Sequence, residues 1–164
     1  MKPCIIRIFV LLLFALVFHA QGCSKKTTES STSATPHKHE HKPPHGGTPV
    51  VLGDEVYHIE LVRDVGSGTL QAYIFDGELE NFIRSSVPSF EVACSVNEHP
   101  QNLIFKAVAN PATGETVGDT SLFEAQADWL KTTANFDAEL KAITVRGTAF
   151  REVKFNFPKG NDKD

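Results

Sequence analysis

The chain has 164 residues, about one ordinary domain, which argues against an enzyme with a separate cofactor domain. Its 41% hydrophobic and 22% charged residues exclude a wholly disordered chain, and a formal charge of −4 gives no general attraction to nucleic acid. These totals conceal three segments of different character: residues 1–22, 23–44 and 45–164.

The first segment carries Lys2 and Arg7, followed by an uncharged apolar run from Ile8 to Phe18. That is the layout of a secretory signal. Eleven apolar residues span about 16 Å as a helix, roughly half of a hydrocarbon core of about 30 Å, so the run is too short to cross a membrane unaided. The segment ends in Ala20-Gln21-Gly22-Cys23, which resembles the lipobox of bacterial lipoproteins. The resemblance implies acylation of Cys23, and Ser24 after it resembles the default for outer-membrane sorting. Ordinary cleavage after Gly22 is the alternative, and both readings export the protein. The expectation is a lipoprotein in the cell envelope, held at the outer membrane by its lipid and facing the periplasm.

From Ser24 to Pro44 there is no large aliphatic or aromatic residue, so this Ser/Thr/Pro-rich stretch reads as a flexible tether. Four of the seven histidines, His37, His39, His41 and His45, fall within nine residues. Neutral imidazole is a common ligand for Zn and Cu, and alternating histidines on a mobile backbone can turn several rings onto one divalent transition metal ion. A polar spacer that merely tolerates histidine is the competing reading, and the tract lacks the Cys-x-x-Cys spacing of a structural zinc site.

The remaining residues, His45 to Asp164, contain 10 basic and 18 acidic residues, a net charge of −8. An acidic domain disfavours nucleic acid and anionic head groups and favours the approach of cations. Period-two alternation marks strands at Tyr57-Ile59-Leu61, Leu70-Ala72-Ile74, Phe90-Val92-Cys94-Val96, Leu103-Phe105-Ala107 and Val153-Phe155-Phe157. Turn signals separate them at Gly53-Asp54, Gly66-Ser67-Gly68, Asn97-Glu98-His99-Pro100, Asn110 to Gly114 and Arg146-Gly147-Thr148. This spacing predicts an all-β, antiparallel, immunoglobulin-like β-sandwich. Phe136, Leu140 and Ile143 recur at helical intervals, yet Thr144-Val145 reads as extended, so that element stays open.

Within the domain, His58 and Glu60 share one side of a strand, about 7 Å apart by strand geometry. With His45 they make three candidate metal ligands; a solvent-facing polar stripe is the alternative. Asp76, Glu78 and Glu80 read either as oxygen ligands or as a charged loop. Cys94 is expected as a small buried hydrophobe and Trp129 as a core or interface anchor, while His99 reads as loop chemistry. No Gly-rich phosphate loop and no Gly-x-Ser-x-Gly elbow is present, so the expectation is a protein that is not an enzyme.

The run from His45-Gly46-Gly47 through Leu52-Gly53-Asp54 and Tyr57-His58-Ile59-Glu60-Leu61 to Tyr73-Ile74-Phe75-Asp76 is similar to a segment of periplasmic heavy-metal efflux adaptor proteins. A similar segment occurs in small envelope lipoproteins. The resemblance covers about 35 residues and implies a small β domain associated with metal export, with His45, His58 and Glu60 as the matching polar positions and an efflux transporter as a partner. The long coiled-coil hairpin and barrel of the pump adaptors have no counterpart here. Two functions follow: an envelope protein that handles divalent metal ions, or a non-enzymatic immunoglobulin-like structural or protein-interaction module.

Overall fold

A computed structural model describes residues 42–162. The signal segment, the lipidation position Cys23 and the histidines at 37, 39 and 41 lie outside the described residues.

Eight strands follow one another: β1 (Thr48–Leu52), β2 (Tyr57–Asp64), β3 (Thr69–Asp76), β4 (Ser89–Val96), β5 (His99–Ala107), β6 (Leu122–Gln126), β7 (Phe136–Val145) and β8 (Thr148–Phe157). A single 3-10 turn, Asp128–Lys131, is the one helical element among the described residues. All strand pairs are antiparallel, and they form one sheet in the order β1-β2-β3-β6-β5-β4-β7-β8. The fold is therefore all-β, as the alternation predicts.

The sheet is nearly closed, and a side chain bridges its edges. The Val51 N–H donates to Asn161 Oδ1 at 2.7 Å, and Asn161 Nδ2 donates to the Val51 carbonyl at 3.2 Å. Asn161 thus gives β1 the donor and acceptor that a neighbouring strand would supply. Thr48 Oγ1 adds a bond to the Pro158 carbonyl just beyond β8. Gly160 makes the approach feasible: its φ is 78°, and a Cβ there would lie 2.2 Å from the Pro49 carbonyl oxygen.

The inward side chains of all eight strands form one core, in which Leu52, Leu70, Ile74, Leu103, Phe105, Phe123 and Leu140 are fully buried. Phe90 stacks on Phe105 at 4.8 Å, and Phe136 on Phe157 at 5.2 Å. Trp129 is half-buried and meets Phe136 edge-on, so it packs against this core. Cys94 is buried as expected.

Residues 136–145, open between helix and strand in the sequence, are the strand β7. The helical interval arises from a β-bulge. Glu91 of β4 pairs with Ala142 while its neighbour Val92 pairs with Leu140, which leaves Lys141 as an extra residue. Phe136, Ala138 and Leu140 point inward before the bulge, and Ile143 and Val145 after it. One inserted residue converts a step of two into a step of three, which imitates helical spacing.

The turns Asn97-Glu98 and Arg146-Gly147 are two-residue hairpin loops with positive φ at both positions, the conformation that matches strand twist. His99 and Pro100, read in the sequence as part of the first of these turns, instead open β5. The register explains how a proline fits there. Ala107 donates to Pro88, so odd-numbered residues of β5 donate to the β4 side and the ring nitrogen of Pro100 faces the other edge. That edge meets β6 only at Lys106 and Ala107.

Candidate functional site

Strand β2 is buried on both faces. Ile59 and Leu61 point into the core, while His58 and Glu60 lie on the outer face and are fully buried as well. The polar pair is therefore no solvent-facing stripe. The neighbouring outward residues on β3 are Tyr73 and Phe75, opposite Glu60 and His58 in register. The segment before β1 and the loop after β3 lie over this patch: His45 stacks on Tyr73 at 4.1 Å, and Phe82 packs on Phe75 at 4.6 Å.

Glu60 is the centre of the arrangement. Its Oε1 accepts the backbone N–H of His45 and that of Gly47, both at 2.8 Å, and its Oε2 accepts from His45 Nδ1 at 2.7 Å. A buried carboxylate is costly unless its lone pairs are used, and three donors use most of them. The His45-Gly46-Gly47 sequence is what lets the chain fold over it. Gly46 turns with φ 68°. At Gly47 a Cβ would sit 2.5 Å from the Leu61 carbonyl oxygen and 2.9 Å from Glu60 Cγ, so only glycine brings its N–H to the carboxylate.

The imidazole is held as firmly as the carboxylate. One of its faces and its Nδ1 are in contact: Tyr73 stacks on it at 16° between planes, and Phe75 and Phe82 lie tilted at 6.2 and 6.1 Å, Phe82 beside the stack. With the carboxylate ionised both of its oxygens accept, and the ring then supplies the proton of the short Nδ1–Oε2 contact. The His45 side chain remains 36% exposed. Burial, then the Glu124 and Glu60 carboxylates, push the Tyr73 hydroxyl above its ordinary value.

Of the three expected ligands the structure thus brings His45 and Glu60 into direct contact. His58 lies deeper, with Nδ1 3.4 Å from the Asp76 carbonyl oxygen. Among the described residues no three His, Cys, Asp or Glu side chains converge in a metal-holding arrangement. The acidic loop has a structural use: Asp76 accepts the N–H groups of Glu80 and Asn81 and the Asn81 side-chain amide, closing the turn after β3. Burial raises the Asp76 carboxyl, but these bonds outweigh it and hold the group below its ordinary value.

Sequence reasoning missed the neighbouring cavity of about 310 Å³, lined by Tyr73, Phe82, Arg84, Asn110, Glu115 and Ser121 among others. Its polar wall is tightly bonded. Glu115 accepts from the Ser121 N–H and hydroxyl and from the Thr113 hydroxyl, and Arg84 reaches Asp119, the Thr113 carbonyl and Glu115. These residues come from loops 77–88 and 108–121, which carry no periodicity that would have flagged them.

Compared with protein-family models, curated proteins and solved structures, the chain finds no match.

Proposed function

We propose that this is a lipid-anchored cell-envelope protein, tethered through Cys23, that binds or handles divalent transition metal ions such as Zn or Cu as an accessory to heavy-metal efflux. One observation carries the reading: the histidine cluster of the sequence ends in a residue, His45, that is built into the domain by a buried carboxylate and an aromatic stack. A histidine merely tolerated in a spacer has no need of such a seat. The net charge of −8 on the domain draws cations toward it.

Metal titration of the mature chain against a version starting at Gly46, and against a His37/His39/His41→Ala variant, tests the proposal. Both altered forms should bind Zn or Cu at least tenfold more weakly, and cells carrying them should become metal-sensitive. Equal affinity and equal tolerance would reject it.

A second reading, an immunoglobulin-like module that binds another envelope protein, is favoured by Phe82, which is 53% exposed at the rim of the 310 Å³ cavity. Crosslinking in intact envelopes separates the two. A partner recovered equally well with chelator present supports the interaction module, and a partner lost on chelation supports metal handling.

A further inference from the structure

Strand β5 has an open edge. Its ladder with β6 ends at Lys106–Glu124, so Ile104, Asn102 and Pro100 have no register partner there. Odd-numbered residues of β5 donate to β4, so the N–H groups of Asn102 and Ile104 and the carbonyls of Pro100, Asn102 and Ile104 face this gap. Beside them lies a cavity of about 560 Å³ lined by Asn102, Ile104, Glu124 and Gln126 among others. The β1 edge is occupied by the Asn161 amide, whereas no side chain among the described residues takes that place on β5. An unpaired edge recruits a strand, because an extended backbone offers donors and acceptors at matching intervals.

The outward side chains along this edge say which strand fits. In order they are Glu98, Pro100, Asn102, Ile104 and Lys106, all exposed, Ile104 by 57%. The order is complementary to its own reverse: an acid and a base at the ends, apolar residues inside them, and an amide at the centre. We propose that β5 pairs antiparallel with β5 of a second copy of this chain, across a twofold axis at Asn102. That register sets Asn102 against the copy's Asn102 and Ile104 against the copy's Pro100. The two asparagines exchange both backbone bonds, and each Ile104 N–H donates to the opposite Pro100 carbonyl. Pro100, which has no N–H, therefore costs the ladder only its outermost bonds.

Each domain carries a net charge of −8, so two copies repel unless the contact itself opposes unlike charges. The register does so at both ends, where it brings Lys106 toward the copy's Glu98 and Glu98 toward the copy's Lys106. Lys106 makes no ion pair among the described residues, and Glu124 beside it on β6 accepts from Gln71 Nε2. Because β6 occupies the edge at Lys106, the ladder spans residues 100–104 and the ion pairs close its ends through side chains alone. The association is weak, as befits so short a ladder, and it is closed: the axis uses the edge of both partners and leaves none for a third.

Sedimentation equilibrium of the mature chain at rising concentration, paired with amide hydrogen exchange, tests the pairing. A monomer–dimer equilibrium should appear, with exchange at Asn102 and Ile104 slowing as concentration rises while Val51 stays unchanged. Lys106→Glu or Glu98→Lys alone sets like charges at both ends and should weaken the dimer about tenfold; the two together exchange the signs and should restore it. Ile104→Pro leaves the bonds to β4 in place and should abolish dimerisation; if it fails to fold, the charge reversals decide. A monomer at every concentration, a dimer indifferent to single reversal or not restored by the double one, or a dimer with unslowed exchange at Asn102 and Ile104 would each overturn the pairing. Slowed exchange at these amides on adding envelope extract, without self-association, would give the edge to another protein's strand and overturn it equally.

Discussion

Two side chains illustrate what burial does to a titrating group when bonds are absent or present. Cys94 has only a long contact from its sulfur to the Val92 carbonyl, and burial pushes its thiol up to about 12. Thiolate is the reactive form, so Cys94 should resist a thiol reagent at pH 8 in the folded protein and react fully once denatured; rapid labelling of Cys94 in the native protein would contradict the packing. Glu115 is the opposite case. Burial raises it, but the Ser121 and Thr113 hydroxyls, the Ser121 N–H and the Arg84 guanidinium outweigh that and hold it below its ordinary 4.5. A folded value below the unfolded one gives stability that is fully present above the unfolded value and fades as pH falls through the folded one. Acid titration of stability should therefore steepen below about pH 4.5, and Glu115→Gln should flatten that limb. At Glu60, replacement by Gln should cost about 2 kcal/mol in urea unfolding, because an amide nitrogen then faces donors that had an acceptor. The sequence made part of this legible. His45, His58 and Glu60 were candidates from spacing, but that Glu60 faces a cage of N–H groups depends on how Gly46 and Gly47 fold the chain back across β2, a long-range contact no local pattern encodes.

Among the elements, the strands with clean alternation were readable from their inward faces: β2, β3 and β4 begin at or one residue before Tyr57, Leu70 and Phe90, while β5 and β8 start four and five residues ahead of Leu103 and Val153. The others were hidden for identifiable reasons. Strand β1 is five residues long and contains Pro49, and β6 commits only Phe123 and Ala125 to the core. Strand β7 breaks period at Lys141, and this makes a prediction. Deleting Lys141 would turn either Phe136-Ala138-Leu140 or Ile143-Val145 away from the core, because a one-residue slip exchanges the faces of a strand. The deletion should cost several kcal/mol or prevent folding, whereas Lys141→Ala, which keeps the residue count, should cost under about 1 kcal/mol. Equal stability of the two variants by thermal melting would show that the bulge does not set the register.

At the largest scale, the described residues are held as one sheet whose ends meet through a side chain. Asn161→Ala removes both bonds to Val51, so the loss should be about 2 kcal/mol, read as a lower melting temperature and as faster hydrogen exchange at the Val51 amide. Unchanged exchange at that amide would place the closure elsewhere. The overall class was readable from the composition of the strands, while the strand order was not. Placing β6 between β3 and β5, and β4 beside β7, depends on pairings between segments far apart in the chain.

The Asn161 amide has a bearing on how such a protein behaves at high concentration. An open outer strand offers its N–H and carbonyl groups to any neighbouring chain, and lateral accretion into ribbons is the usual hazard. On β1 the groups of Val51 are already occupied by a residue from beyond β8. A copy seeking to add itself there must first evict that amide, so each molecule carries its own stopper against polymerisation along this seam.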